Sequence, residues 1–426
     1  MTELIHFVKQ DSTTQSTANT SATEITQYTI SWSDLTTAGF VNGDTVILLV
    51  MTKLSVNSAN NSASFQIGLG TTYAGRADIA ESLMRQEASA AAASGINTNL
   101  PYTFIDQRAL VTDENIYFSL WTTGNTARSD DFHVMILKVG GTNGLSTNDL
   151  IYAENTGPNG DAPTSYDTNG ASVTTPTSGD WLFICSTHWL VDDVTADMFV
   201  AINIDGVDYS EVRSEGEDTA DEVCEGTIAY AAALATSKVA RVRYMTDEAA
   251  TQDVTRTAIV GIRLDAFQDH VGVQSANTIT HSVVDTFQEA WGPSYTASQN
   301  GNVIAIFYGI HDWNTASTPE QTKAPEGRIQ LAESTWPTST SNGVSLRDNG
   351  VNAIGGPILF GYGSISSGSL NFDFDVAEDN DITPTYACDV QVGAIFSLAF
   401  PSAATADSLA SLYGKLKRRQ QHLLVR

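Results

Sequence analysis

Charged side chains are scarce in this 426-residue chain, at 16% of positions against roughly 25% in ordinary globular proteins. Positive ones are scarcer: 21 Lys and Arg stand against 49 Asp and Glu, a formal charge of −28. Phosphate contacts need a basic footprint, so this balance excludes nucleic acid as an expected partner. Cysteine is nearly absent. Cys185, Cys224 and Cys388 have no metal-like spacing and are too few for a disulfide framework, and Cys185 reads as a buried reduced thiol within an apolar strand. No apolar run reaches the ~20 residues of a membrane span. The opening Met1-Thr2-Glu3-Leu4-Ile5-His6 lacks the basic-then-apolar pattern of a signal peptide, so synthesis in a cytoplasm without export is expected. Catalytic signatures are missing as well: there is no GxxxxGK[ST], HExxH, GxSxG or CxxC, and no GxGxxG after a strand. No enzymatic activity is expected.

Ser, Thr, Asn and Gly are plentiful, which suits an all-β chain whose surface is covered by hydroxyls and turn residues. Its organising feature is a short stretch that occurs three times. The copies are Gly43-Asp44-Thr45-Val46-Ile47-Leu48-Leu49-Val50, Gly179-Asp180-Trp181-Leu182-Phe183-Ile184-Cys185 and Gly301-Asn302-Val303-Ile304-Ala305-Ile306-Phe307. A turn-forming pair feeds each time into a run that is apolar at consecutive positions, the pattern of a strand buried on both faces. Starting at 43, 179 and 301, the copies stand 136 and 122 residues apart, the size of a small domain rather than of a solenoid repeat.

Other segments recur in the same order. A second strand follows each core strand, at 64–69, 199–204 and 328–332. A strand, turn and strand come next, at 102–121, 228–244 and 358–374, and an apolar strand closes each unit, at 132–139, 257–264 and 390–400. The expected architecture is three tandem β-sandwich or jelly-roll-like modules, 1–145, 146–273 and 274–403, followed by a basic C-terminal arm, 404–426. Period-two alternation predicts a strand over Ile25–Trp32. The Ala-rich stretch 78–94, stopped by Gly95, predicts a helix.

Few residues offer themselves as a site. His188-Trp189 and His311-Asp312-Trp313 end two of the core strands, where a ring face could stack on a saccharide; the alternative is an indole closing the sandwich beside a hydrogen-bonded histidine. The loop clusters Asp113-Glu114, Asp192-Asp193, Asp247-Glu248 and Glu378-Asp379-Asn380-Asp381 offer oxygen ligands for Ca²⁺, yet none fits the twelve-residue Ca²⁺ loop, so solvated turns are expected and no cofactor is. No pair of carboxylates is singled out for glycoside hydrolysis. In the last segment Lys415, Lys417, Arg418 and Arg419 sit among Leu409, Leu412, Leu423 and Leu424. Such a segment is either an amphipathic helical or extended assembly arm or a solvated end.

Taken over the whole chain, the threefold repetition of β-sandwich segments, the acidic Ser/Thr/Asn-rich composition and the basic end resemble the virion proteins of tailed bacteriophages. This resemblance lies in architecture and composition, not in a motif. It implies a capsid decoration, minor capsid or other virion-surface protein, made in the host cytoplasm. Its partners would be other virion proteins or further copies of itself, with the three modules mimicking a trimer at a threefold position. The same resemblance leaves open a receptor- or glycan-binding tail or fibre protein.

Overall fold

The computed structural model describes residues 3–56, 61–87, 100–157, 162–192, 196–215, 221–247, 252–275, 279–281, 287–312, 325–332, 334–336, 341–342, 354–355, 358–378 and 386–401. The chain is almost wholly β, built of several antiparallel sheets, as its composition predicts.

Each repeated stretch is a long strand flanked on both edges. Thr45–Val56 lies between Ala127–Val139 and Leu100–Ala109. Gly179–Val191 lies between Gln252–Arg263 and the pair Ile228–Leu234 and Glu222–Glu225. Gly301–Asp312 lies between Tyr386–Ser397 and Ile358–Ile365. In every unit the apolar closing strand thus pairs directly with the core strand. Gly43 enters its strand at φ +83, a conformation natural to glycine.

Side chains alternate across a strand, so consecutive apolar residues need two apolar environments. Both exist here. Val46, Leu48 and Val50 pack with Phe65, Phe104, Phe118 and Phe132 in a core belonging to the first unit. Trp181, Phe183 and Cys185 do the same with Val200, Ile202 and Val242 in the second, and Val303, Ala305 and Phe307 with Ile329, Phe372 and Phe374 in the third. Their neighbours Ile47, Leu49, Met51, Leu182, Ile184, Ile304, Ile306 and Tyr308 all join one further cluster. The three inner sheets therefore face one another around a shared centre. Each carries an outer sheet on its far side, built on Ser62–Gly70 with Asn115–Thr122, Asp197–Ile204 with Val239–Thr246, and Pro325–Leu331 with Gly368–Glu378. At about 1.5–3 kcal/mol for each fully buried aliphatic side chain, the shared centre contributes on the same scale as the separate cores.

The units are also stitched by backbone. The outer sheet of the first continues through Met84–Glu87 into the inner sheet of the second, where Arg85 pairs with Glu222. That pairing covers two strand edges that would otherwise be open. The expected limit at 273/274 falls inside His270–Ser275, a strand paired with Tyr386–Ser397 in the third inner sheet.

Two local expectations are corrected. Ile25–Trp32 is not a strand: the chain turns after Ile25, and a short helix runs over Trp32–Thr37. The cause is a capping box, in which Ser31 Oγ accepts from Asp34 N–H at 3.1 Å while Asp34 Oδ2 accepts from Ser31 N–H at 2.9 Å. The described part of 78–94 is not helical either. It forms a short strand Ala77–Asp78, a 3₁₀ turn Ala80–Ser82 and the strand Met84–Glu87. Pairing with Ser62–Gly70 outweighs local propensity there, and the alanine run 88–93 lies outside the described residues.

Candidate functional site

Where the three units meet, polar side chains gather. Between the first and second, Arg256 is buried, with its guanidinium 4.7 Å from the Phe104 ring centroid. Its Nη2 donates to Ile105 O at 2.6 Å, Glu154 Oε2 at 3.0 Å and Tyr152 Oη at 3.1 Å. A buried cation held this way has its charge and donors matched at once. Between the first and third, His6 donates through Nδ1 to Leu4 O at 2.8 Å and accepts through Nε2 from Tyr362 Oη at 3.0 Å. His133 is buried nearby, its ring 5.5 Å from that of Phe360. Burial with no carboxylate to compensate pushes its pKa down to about 4.

The junction of the second and third units holds a groove of about 600 Å³, lined by Val207, Tyr209, Tyr230, Leu234, Val273 and Gln274 among others. Asp180, from the second repeated Gly-Asp pair, organises its edge. The carboxylate accepts from Ala233 N–H at 2.7 Å and from Tyr230 Oη at 2.8 Å, and His270 Nε2 lies 3.3 Å from it. Burial acts to raise the Asp180 pKa, but these hydrogen bonds outweigh it and hold the carboxyl below its ordinary value. Tyr230 is pushed up, by burial first and by its bond to Asp180 second. His270 also faces Asp265, at 3.6 Å. The Tyr230 ring rests directly on Gly272, where a Cβ would stand 2.3 Å from a ring carbon. Glycine is required by that contact, and it sets how closely the two units approach.

The residues singled out from the sequence are dispersed. Trp189 is fully buried in the core of the second unit, edge-to-face with Tyr244 at 5.9 Å. His188 lies at the junction of the first and second units. Its Nε2 is 3.1 Å from Leu83 O and 3.2 Å from Glu222 Oε2, and its Nδ1 meets the Thr255 hydroxyl. Neither ring presents a face to solvent, so this pair matches the closed-sandwich alternative rather than a saccharide platform. His311 ends the third core strand, paired in register with Gly355 and Cys388. Trp313 lies outside the described residues, as do Lys415, Lys417, Arg418 and Arg419.

Asp113 occupies a turn at φ 64, and Asp247 Oδ1 accepts from Asp197 N–H at 2.8 Å. Among the described residues no group of three or more His, Cys, Asp or Glu is placed to hold a metal ion, and no helix is long and apolar enough to cross a membrane. Cys185 is a buried free thiol whose pKa burial pushes up to about 12. Sequence reasoning missed Asp180, Tyr230, His270 and Arg256 as junction residues. Only Asp180 carried a signal, the Gly-Asp pair, and that signal also fits a plain turn.

No family model matches the chain, and no curated protein does. Among solved structures it is similar to PNGF-II over 83% of this chain and 99% of that one, at 7% identity and a TM-score of 0.30. PNGase F, a glycosylasparaginase from Flavobacterium meningosepticum, aligns over 58% and 96%, at 8% identity and a TM-score of 0.29. A weaker similarity joins it to the structure of Sulfolobus Turreted Icosahedral Virus, over 83% and 81%, at 10% identity and a TM-score of 0.19. These neighbours share β-rich architecture loosely, and superpositions this poor carry no argument about function.

Proposed function

We propose that this chain is a structural component of a tailed-bacteriophage particle, a capsid decoration or minor capsid protein that acts by protein–protein assembly. The observation that carries this reading is the shared centre, where Leu49, Ile184 and Ile306 from the three repeated strands join one cluster. Three units of like strand order around one core, in this reading, let a single chain occupy a position that a homotrimer would otherwise fill. In this reading the chain performs no bond-making chemistry. Its partners are other virion proteins or further copies of itself.

The test is purification of particles followed by quantitative mass spectrometry and a particle map. A stoichiometric copy number with density for a three-lobed body at a fixed site is expected. Absence of the chain from particles, together with a persistently monomeric protein in solution, would sink the proposal. The alternative, a receptor- or glycan-binding tail or fibre protein, rests on the third unit or on the variable loops, because Trp189 has no exposed ring. A glycan array comparing the wild type with Trp313→Ala separates the two.

A further inference from the structure

The groove between the second and third units exposes an aliphatic side chain at its rim. Val207 is 54% exposed, an unusual state for a large aliphatic residue in this fold, and Ile204, Leu234 and Val273 line the groove with it. Such a surface calls for an occupant, and the path of the chain supplies one. The strand Tyr386–Ser397 pairs with His270–Ser275 so that Phe396 stands opposite His270, and Gln268 N–H then donates to Ala399 O at 2.8 Å. The described chain ends at Pro401, leaving the fold beside Asp269. Gly272 and Val273 of the groove are three and four residues further along that same segment, about 10–14 Å at strand rise. The 25 residues that follow Pro401 reach up to ~80 Å when extended, many times that gap.

Charge points the same way. Residues 402–426 carry five Lys or Arg and one acidic residue, Asp407, whereas the remaining 401 residues carry 16 basic and 48 acidic ones. Near the exit and the groove stand Asp269, Asp265 and Asp180, and Asp205 lines the groove itself. Arg263 faces Asp265 and Lys238 pairs with Asp205, so four carboxylates there meet two Lys or Arg cations of the fold. Leu409, Leu412 and Leu416 recur at the i, i+3, i+7 spacing of a single apolar face. We propose that this groove is the docking site of the chain's own C-terminal arm, residues 404–426. The arm's leucines cover Val207 and Val273, and its basic cluster lies along the carboxylates at the groove edge. The proposal stands apart from the virion reading, which it neither needs nor supports.

Cysteine cross-linking in the full-length chain tests it. Val207→Cys is combined with Leu416→Cys, and the control combines Leu416→Cys with Asn125→Cys. Asn125 sits in the turn next to the Ala127–Val56 pairing, at the end of the first core strand remote from Gly43. Cross-linked pairs are identified by peptide mapping. The Val207/Leu416 pair is expected to close within one molecule at least about tenfold faster than the control, because docking raises the effective concentration of the two thiols. High salt, or Lys415→Glu with Lys417→Glu, should bring that rate down to the control value. Equal rates for the two pairs would overturn the proposal. So would cross-links found only at dimer mass, which would place a second copy's arm in the groove.

Discussion

Two buried ionisable side chains contribute in opposite senses to how stability depends on pH. His133, ordinarily near 6.5, titrates at about 4 in the folded chain because burial disfavours its cation. The folded state therefore binds this proton more weakly than the unfolded state. The stabilisation is complete above pH 6.5 and is lost as pH falls from 6.5 toward 4, by at most about 3 kcal/mol at 1.36 kcal/mol per unit. His133→Phe should flatten the acid limb of a plot of urea midpoint against pH; an unchanged limb would show that another group carries it. Glu225 has the opposite sign. Its carboxyl is buried beside Ser214 and Trp189, and burial pushes its pKa from 4.5 to about 8. The folded state holds this proton more tightly, so stability is greatest below pH 4.5 and declines as pH rises toward 8. Burial likewise pushes the Asp197 carboxyl up to about 7, so Glu225→Gln, which cannot ionise, is expected to lessen that decline between pH 5 and pH 8 rather than abolish it, and a decline as steep as in the wild type would refute the assignment.

A strand that is buried on both faces predicts an unusual mutational pattern. In a strand with one wet face, truncating alternate residues costs much and then little. Leu48 and Leu49 are adjacent and both fully buried, one in the core of the first unit and one in the shared centre. Leu48→Ala and Leu49→Ala should therefore each cost about 2–5 kcal/mol in urea denaturation, and a negligible cost for either would mean that one face is open. Much at this scale was legible beforehand. Gly43-Asp44, Gly179-Asp180 and Gly301-Asn302 mark strand entries, and the consecutive apolar residues behind them announce two buried faces. The strand expected over Ile25–Trp32 does not form because a local signal, Ser31 with Asp34, caps a helix and outweighs the alternation. The helix expected from 78 onward failed for the converse reason: helix propensity lost to an open strand edge that only the folded sheet presents.

At the scale of the molecule, the shared centre couples the units energetically. Three independent modules would melt separately, whereas units that contribute side chains to a single cluster lose that burial together. Calorimetry of the full chain should show one dominant cooperative transition, with the van't Hoff enthalpy close to the calorimetric one. Three resolved transitions would mean that the centre contributes little. The junctions add directional contacts to this coupling. Gly272 admits the Tyr230 ring, and Gly272→Val, which pushes side-chain atoms into that ring, should cost about 1–3 kcal/mol by overpacking. Wild-type stability in that variant would show that the second and third units are not held by this contact. None of this was legible in the residues alone, since Tyr230, Gly272 and Asp180 lie far apart in the chain and share no motif.

The sequence by itself determined the β character, the threefold order of the strands and the double burial of the core strand, because alternation, turn pairs and apolar runs are local properties of a polypeptide. Tertiary structure alone decided what the second buried face is buried against. It also decided which polar groups meet between units and that Trp189 faces inward. Those outcomes depend on contacts between residues from some forty to several hundred positions apart, such as Tyr230 with Gly272, for which one chain read in order contains no local signal.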